Sequence, residues 1–286
     1  MDILTNYTFQ IVALGSVLLA VAAAPVGAFS VYKGQSLIGD AIGHSTFPGI
    51  ILAYMAFATR SPVILLAGAI LAGAASYALI QLAHRDKRLG LDANLAIFLS
   101  GFFGLGMALK SFIQGNPDYA GASQAGLGTY IFGQAAYMLE ADVLLIAAIS
   151  ALVLTLLLLF YKELKLFVFD AEYAEVVGLP CRLLNLLLLV MTIAVIGIGI
   201  KAVGAILISS FLIIPCVAAN QWSNNFARVL LLSSLIGAVS ALVGTYISTL
   251  EQGMSTGPSI ILVASLIAFF SIVFGTKGIL GSVLKR

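Results

Sequence analysis

Asp40 and His44 are the two residues in this chain whose types and spacing best suit the binding of a divalent cation. They sit in the stretch Gly39-Asp40-Ala41-Ile42-Gly43-His44-Ser45-Thr46-Phe47-Pro48-Gly49, inside an otherwise apolar run. Four residues apart, they share one face of a helix, one turn from each other. Asp supplies an oxygen ligand and neutral imidazole a nitrogen, a mixture that suits Mn, Fe or Zn. Two ligands are too few for a closed site. A two-fold dimer would bring two Asp and two His to a shared axis, binding without a rigid cage, as a conduit must. Gly39 and Gly43 form a GxxxG step beside the pair, which lets helices approach closely. A second reading fits the same spacing: Asp40 caps a helix N-terminus and His44 is its hydrogen-bond partner, with Ser36 as an alternative cap that would free Asp40.

Other chemistries find little support. Cys181 and Cys216 form no CxxC and read as small buried apolar residues. GxxxxGK followed by Ser or Thr does not occur, so no P-loop cradles a nucleotide. Gly197-Ile198-Gly199-Ile200-Lys201-Ala202 fits GxGxxA on paper, but it lies between apolar runs instead of following a strand. A membrane aspartyl protease needs a second intramembrane acid, and a zinc protease needs HExxH; neither pattern is present. His84 belongs to a basic loop, Asp92 reads as an N-cap, and Lys201 reads as an outer-interface residue.

The elements that must position Asp40 and His44 follow from composition. The chain is 286 residues long, 61% hydrophobic and 9% charged, with a mean hydropathy of +1.11. Soluble domains carry about 25% charged residues, so the apolar excess must face lipid. No Lys- or Arg-rich block suggests nucleic acid. Apolar runs of about 20 residues predict membrane helices at 11–32, 37–58, 62–83, 92–112, 140–161, 182–200, 202–221, 228–249 and 257–275. The last runs before Trp222 meet at a glycine-rich joint around Gly197, Gly199, Lys201 and Gly204, where one helix is expected to be broken or re-entrant. The fold expected is therefore an all-α, polytopic helical bundle of eight or nine transmembrane helices, one domain over residues 1–286. A β-barrel would alternate apolar and polar residues, which these runs do not.

Basic loops set the orientation. His84-Arg85-Asp86-Lys87-Arg88, the set Lys162, Lys165 and Arg182, then Arg228, and finally Lys277, Lys285 and Arg286 all read as cytoplasmic. Nine spans satisfy these with the N-terminus outside, leaving Arg60 and Lys110 near outer ends and one longer outer loop over 113–139. Lys33, the first basic residue, follows the first apolar run, so that run reads as a retained span and not as a cleavable signal.

One cytoplasmic stretch, about 163–181, has its own pattern. Asp170 is placed to cap a short helix, Glu172 lies in its first turn, and Gly178 with Pro180 ends it. Tyr173, Val176 and Val177 make one apolar stripe. Such a helix could dock in a groove of a partner protein or lie on lipid headgroups.

Residues 36–49 resemble the signature near the second span of manganese/zinc ABC permeases, the membrane subunits of bacterial metal importers. Phe169-Asp170 through Ala174, Gly178, Leu179 and Pro180 is similar to the family's cytoplasmic coupling segment. Val203-Gly204 through Ile214-Pro215 resembles its late half-helix region, and Ser255-Thr256-Gly257-Pro258 opens a similar last span. The resemblance covers nearly the whole chain. It implies Asp40 and His44 as metal ligands in a translocation path. It implies Asp170, Glu172, Tyr173, Val176, Val177 and Gly178 as the contact with a cytoplasmic ATPase, present in two copies. It also implies an extracytoplasmic metal-binding protein, a second permease copy or a paralogue, a place in the bacterial inner membrane, and a cargo of Mn, Zn or Fe with no permanently bound cofactor. The chain itself would be no enzyme. Ile131-Phe132-Gly133-Gln134-Ala135-Ala136-Tyr137 leans toward the manganese-type members. Phe47 and Cys216 depart from the family's small residues. A gradient-driven metal transporter or channel is the rival reading; it predicts more intramembrane carboxylates than this chain has.

Overall fold

A computed structural model describes residues 6–59, 61–84, 90–116, 119, 138–250 and 254–280. Among these residues every regular element is helical. The helices are α1 (Tyr7–Tyr32), α2 (Ile38–Phe57), α3 (Pro62–His84), α4 (Leu91–Gly115), α5 (Glu140–Leu159), α6 (Tyr161–Phe169), α7 (Ala171–Val176), α8 (Cys181–Val203), α9 (Ala205–Asn220), α10 (Phe226–Leu250) and α11 (Thr256–Phe274). All nine expected spans have a helix, within about four residues at each end. Seven are long and apolar enough to cross a membrane. α2 is 20 residues long but is diluted by glycines and by Asp40, His44, Ser45 and Thr46. α9 is apolar but has 16 residues, about 24 Å at 1.5 Å per residue, short of a hydrocarbon layer of about 30 Å.

α1 runs through the middle of the bundle, against α5, α8, α9 and α10, while α2 lies between α3, α4 and α9. Small residues bring backbones together. A Cβ at Gly68 would meet the Cβ of Ala53 at 2.7 Å, which fixes how closely α3 lies on α2. Gly204 explains the joint between α8 and α9. Its φ is +86° and ψ 163°, a combination open essentially to glycine alone. The break is this single residue, and the two flanking helices are otherwise regular.

Contacts at the helix ends fix the direction of each span. At one end, Tyr32 donates to Asn220 Oδ1 at 2.8 Å, Lys33 donates to Asn185, and Lys277 Nζ donates to the Ser223 carbonyl at 2.9 Å. The start of α8 and the end of α9 therefore share one side, so the chain goes out along α8 and returns along α9. Exposed Lys162, Lys165, Arg182, Arg228 and Lys277 lie at this end, which makes it the cytoplasmic one. At the opposite end Tyr7 donates to Glu140 at 2.5 Å and Phe9 packs on Tyr246. His84 is exposed at the end of α3, and both cysteines are free and buried.

Asp92 is a correction. Gly90 holds the N-cap of α4 and Asp92 lies within the first turn, where its charge still favours the helix dipole. Arg60, residues 85–88, the pattern at 131–137, nearly all of the outer loop, Lys285, Arg286 and the Lys201 side chain lie outside the described residues.

Candidate metal centre

The first turns of α2 carry both candidate ligands. Leu37 is the N-cap and no side chain caps the helix. Neither Ser36 nor Asp40 does that work, and Asp40 instead turns along the helix to its neighbour one turn on. Its Oδ1 lies 3.4 Å from His44 Nε2. The side chains are 33% and 18% exposed respectively, so both reach open space. They border a cleft of about 250 Å³, with Ser209, Ser210, Ile213 and Ile214 of α9 opposite. The Ser209 hydroxyl faces Asp40 across this cleft. Phe103 of α4 sets its ring edge-on to His44, 5.0 Å between centroids, and packs against Phe47.

Close packing explains why α2 faces α9 here. A Cβ at Gly39 would come within 2.5 Å of Leu212 Cδ1, whereas one at Gly43 would meet Ser209 Oγ at an ordinary 3.4 Å. Gly39 thus leaves room for the end of the Leu212 side chain, and Gly43 leaves room around Ser209. The hydroxyls next along α2 are used elsewhere: Ser45 donates to the Ala41 carbonyl and meets Ser76 of α3, and Thr46 donates to the Gly43 carbonyl. Pro48 has no N–H to return to the His44 carbonyl four residues back.

Depth follows from α9. Ser209 and Ile213 lie 11 and 7 residues before Asn220 at the cytoplasmic end. At 1.5 Å per residue these two lie about 10 to 16 Å inside that end, while Asp40 and His44, two and six residues into α2, lie about 3 and 9 Å inside its start, so the cleft is in the cytoplasmic half of a layer of about 30 Å. A carboxylate and an imidazole at such depth are costly unless they face protein or water. Among the described residues no three His, Cys, Asp or Glu side chains converge. Around the cleft the described residues bring one carboxylate, one imidazole and two hydroxyls.

Comparison with known proteins gives the family. The profile of the ABC 3 transport family matches residues 5–275. The chain belongs to this family. It is a multi-pass permease subunit, and it resembles the zinc transport system membrane protein TroC of Treponema pallidum, 39% identical over 100% of this chain and 95% of that protein. It is also 39% identical to the manganese transport system membrane protein MntC of Bacillus subtilis, over 94% of this chain and 61% of that one. Its fold matches a chain of PsaBC from Streptococcus pneumoniae, solved in complex with Fab, with a TM-score of 0.85, 26% identity, and coverage of 99% of this chain and 97% of that chain.

The stretch at Asp170 lies apart from the cleft, on the cytoplasmic end. Asp170 Oδ1 accepts from the Tyr173 N–H at 2.9 Å, capping α7. Gly178, at φ +86°, ends it, with the Leu179 N–H reaching back to the Ala174 carbonyl at 3.0 Å. Ala174 is buried, while Tyr173, Val176 and Val177 are exposed, Val176 at 83%. Glu172, in the first turn, is exposed too. The apolar stripe thus points away from its own bundle.

Sequence reasoning missed Ser209, Ser210 and Phe103. The two serines interrupt an apolar run, which is a usable signal, but hydroxyls in membrane helices commonly bond their own backbone. Phe103 carries no signal in a lipid-facing sequence.

Proposed function

We propose that this permease is the membrane subunit of an ATP-driven importer of a divalent transition metal, and that Asp40 and His44 bind the ion in passage. The observation that carries this reading is the Asp40–His44 pair opening into a cleft against α9. Two copies of the chain, or one with a paralogue, complete the ligand set around a shared axis. An extracytoplasmic metal-binding protein delivers the ion. Two copies of a separate ATPase dock against Asp170, Glu172, Tyr173, Val176, Val177 and Gly178. Their closure alternates access to the site, and the ion leaves into the cytoplasm.

Manganese is the favoured cargo. Two carboxylates and two imidazoles with neighbouring hydroxyls make an oxygen-rich set, and carboxylate oxygen suits Mn. Zinc and iron fit the same donors less well in oxygen content but not in kind. Uptake by the reconstituted complex across a panel of Mn, Zn and Fe decides among them.

The deciding experiment is Asp40→Ala. Metal uptake should be abolished while the variant still assembles with the ATPase. Normal uptake by Asp40→Ala would remove the site. Uptake by the chain without any ATPase, driven by a gradient, would favour a secondary transporter instead.

A further inference from the structure

Lys33 stands just past the end of α1, five residues before the start of α2. Its ammonium donates to Asn185 Oδ1 of α8 and lies 4.9 Å from the centroid of the Phe167 ring in α6. Lys33 is half-buried, and its ammonium meets an amide oxygen and a ring face there. That placement is costly, and burial pulls the ammonium down to about 8. Lys33 is the C-cap of α1, where a cation favours the helix dipole, and its ammonium also ties α6 and α8 to that end.

We propose that Lys33 is a positioning residue that carries movement of α6 and α7 to the start of α2, so that the ATPase cycle and access to Asp40 and His44 change together. This rests on the importer reading above. Phe167 lies three residues before Asp170, which caps the ATPase-facing helix. On the other side the chain from Lys33 to α2 has no slack. The Lys33, Gly34 and Gln35 N–H groups donate to the carbonyls of Phe29, Val31 and Ser30, at 3.0, 3.0 and 2.9 Å, and Ile38 N–H donates to the Gln35 carbonyl at 3.1 Å. Gly34, at φ +75°, closes this turn. Asn185 is held in turn, its Nδ2 donating to Tyr77 Oη of α3 at 2.9 Å. Lys33 therefore bridges the docking segment and the α3–α8 wall at the point where α2 is attached.

The ammonium is not needed to hold α6 in place. Phe29, Tyr32, Tyr161, Phe169 and Phe226 already pack that segment onto α1 and α10. Removing the charge should leave the fold and alter the linkage.

The test uses the full reconstituted complex and reads ions imported per ATP hydrolysed, with metal affinity measured separately. Lys33→Met should assemble and keep wild-type metal affinity, yet lower ions per ATP by about 2- to 30-fold, the effect of one coupling contact. Lys33→Arg, which keeps a cation, should restore most of the ratio. Should Lys33→Met not assemble, Asn185→Leu, which removes the acceptor and leaves the ammonium, should lower the same ratio. A wild-type ratio in Lys33→Met or in its substitute Asn185→Leu, or uptake and hydrolysis falling in proportion, overturns the proposal. Failure of the wild type to couple uptake to ATP at all strikes the importer reading itself.

Discussion

At the scale of single residues, the proposed metal site is set apart by how few donors it has. One carboxylate, one imidazole and two hydroxyls line an open cleft; on the reading proposed above such a sparse set would hold a divalent ion weakly, and a conduit needs release as much as capture. Asp40 and His44 were legible in the sequence because ionisable residues are rare in apolar runs. Their role was not, since the same spacing suits a capped helix, and the uncapped start of α2 at Leu37 removes only that cap. Ser209 was not legible at all. Its hydroxyl lines the cleft with Asp40, so Ser209→Ala should leave the fold intact and weaken metal binding by about tenfold, the effect of one lost hydrogen bond of about 1.5 kcal/mol to the bound ion's charged shell. Isothermal titration of the assembled complex checks this, and an unchanged affinity would take Ser209 out of the site.

At the scale of elements, two short features matter more than the long helices. α7 presents Tyr173, Val176 and Val177 outward, so a charge placed there disturbs a partner and not the bundle. Val176→Asp is expected to leave the chain folded and to prevent co-purification of the ATPase; retained binding would assign this stripe to lipid headgroups. Gly204 sets the return of α9 that brings Ser209 opposite Asp40. Gly204→Ala forces a φ of +86° on a residue with a Cβ, at a cost of about 1 to 3 kcal/mol. Its thermal midpoint should fall, and its metal uptake should fall further than its expression. Wild-type stability and uptake in this variant would show that the joint tolerates another geometry. The glycine-rich joint was readable as a break from the cluster of glycines. Which glycine makes it was not, because positive φ depends on the path the flanking helices take.

At the scale of the whole molecule, the function proposed above makes the site complete only with a second copy. Dialysis of the assembled complex should find one ion for every two permease chains, and a mixed complex carrying one Asp40→Ala chain should lose the site. One ion per chain in a complex of two would mean that each copy binds alone. The number of apolar runs, their lengths and the basic loops fixed a helical bundle in a membrane with a definite orientation, because lipid requires continuous apolar helices and charge resists crossing. Those are properties of composition along the chain. The sequence also placed a carboxylate and an imidazole one turn apart. Tertiary structure decided what they face: α9 returns from Gly204, Gly39 lets Leu212 approach, and the cleft opens between them. Contacts between residues some 170 apart, such as Asp40 with Ser209, depend on how helices pack, and no local pattern in the chain encodes that.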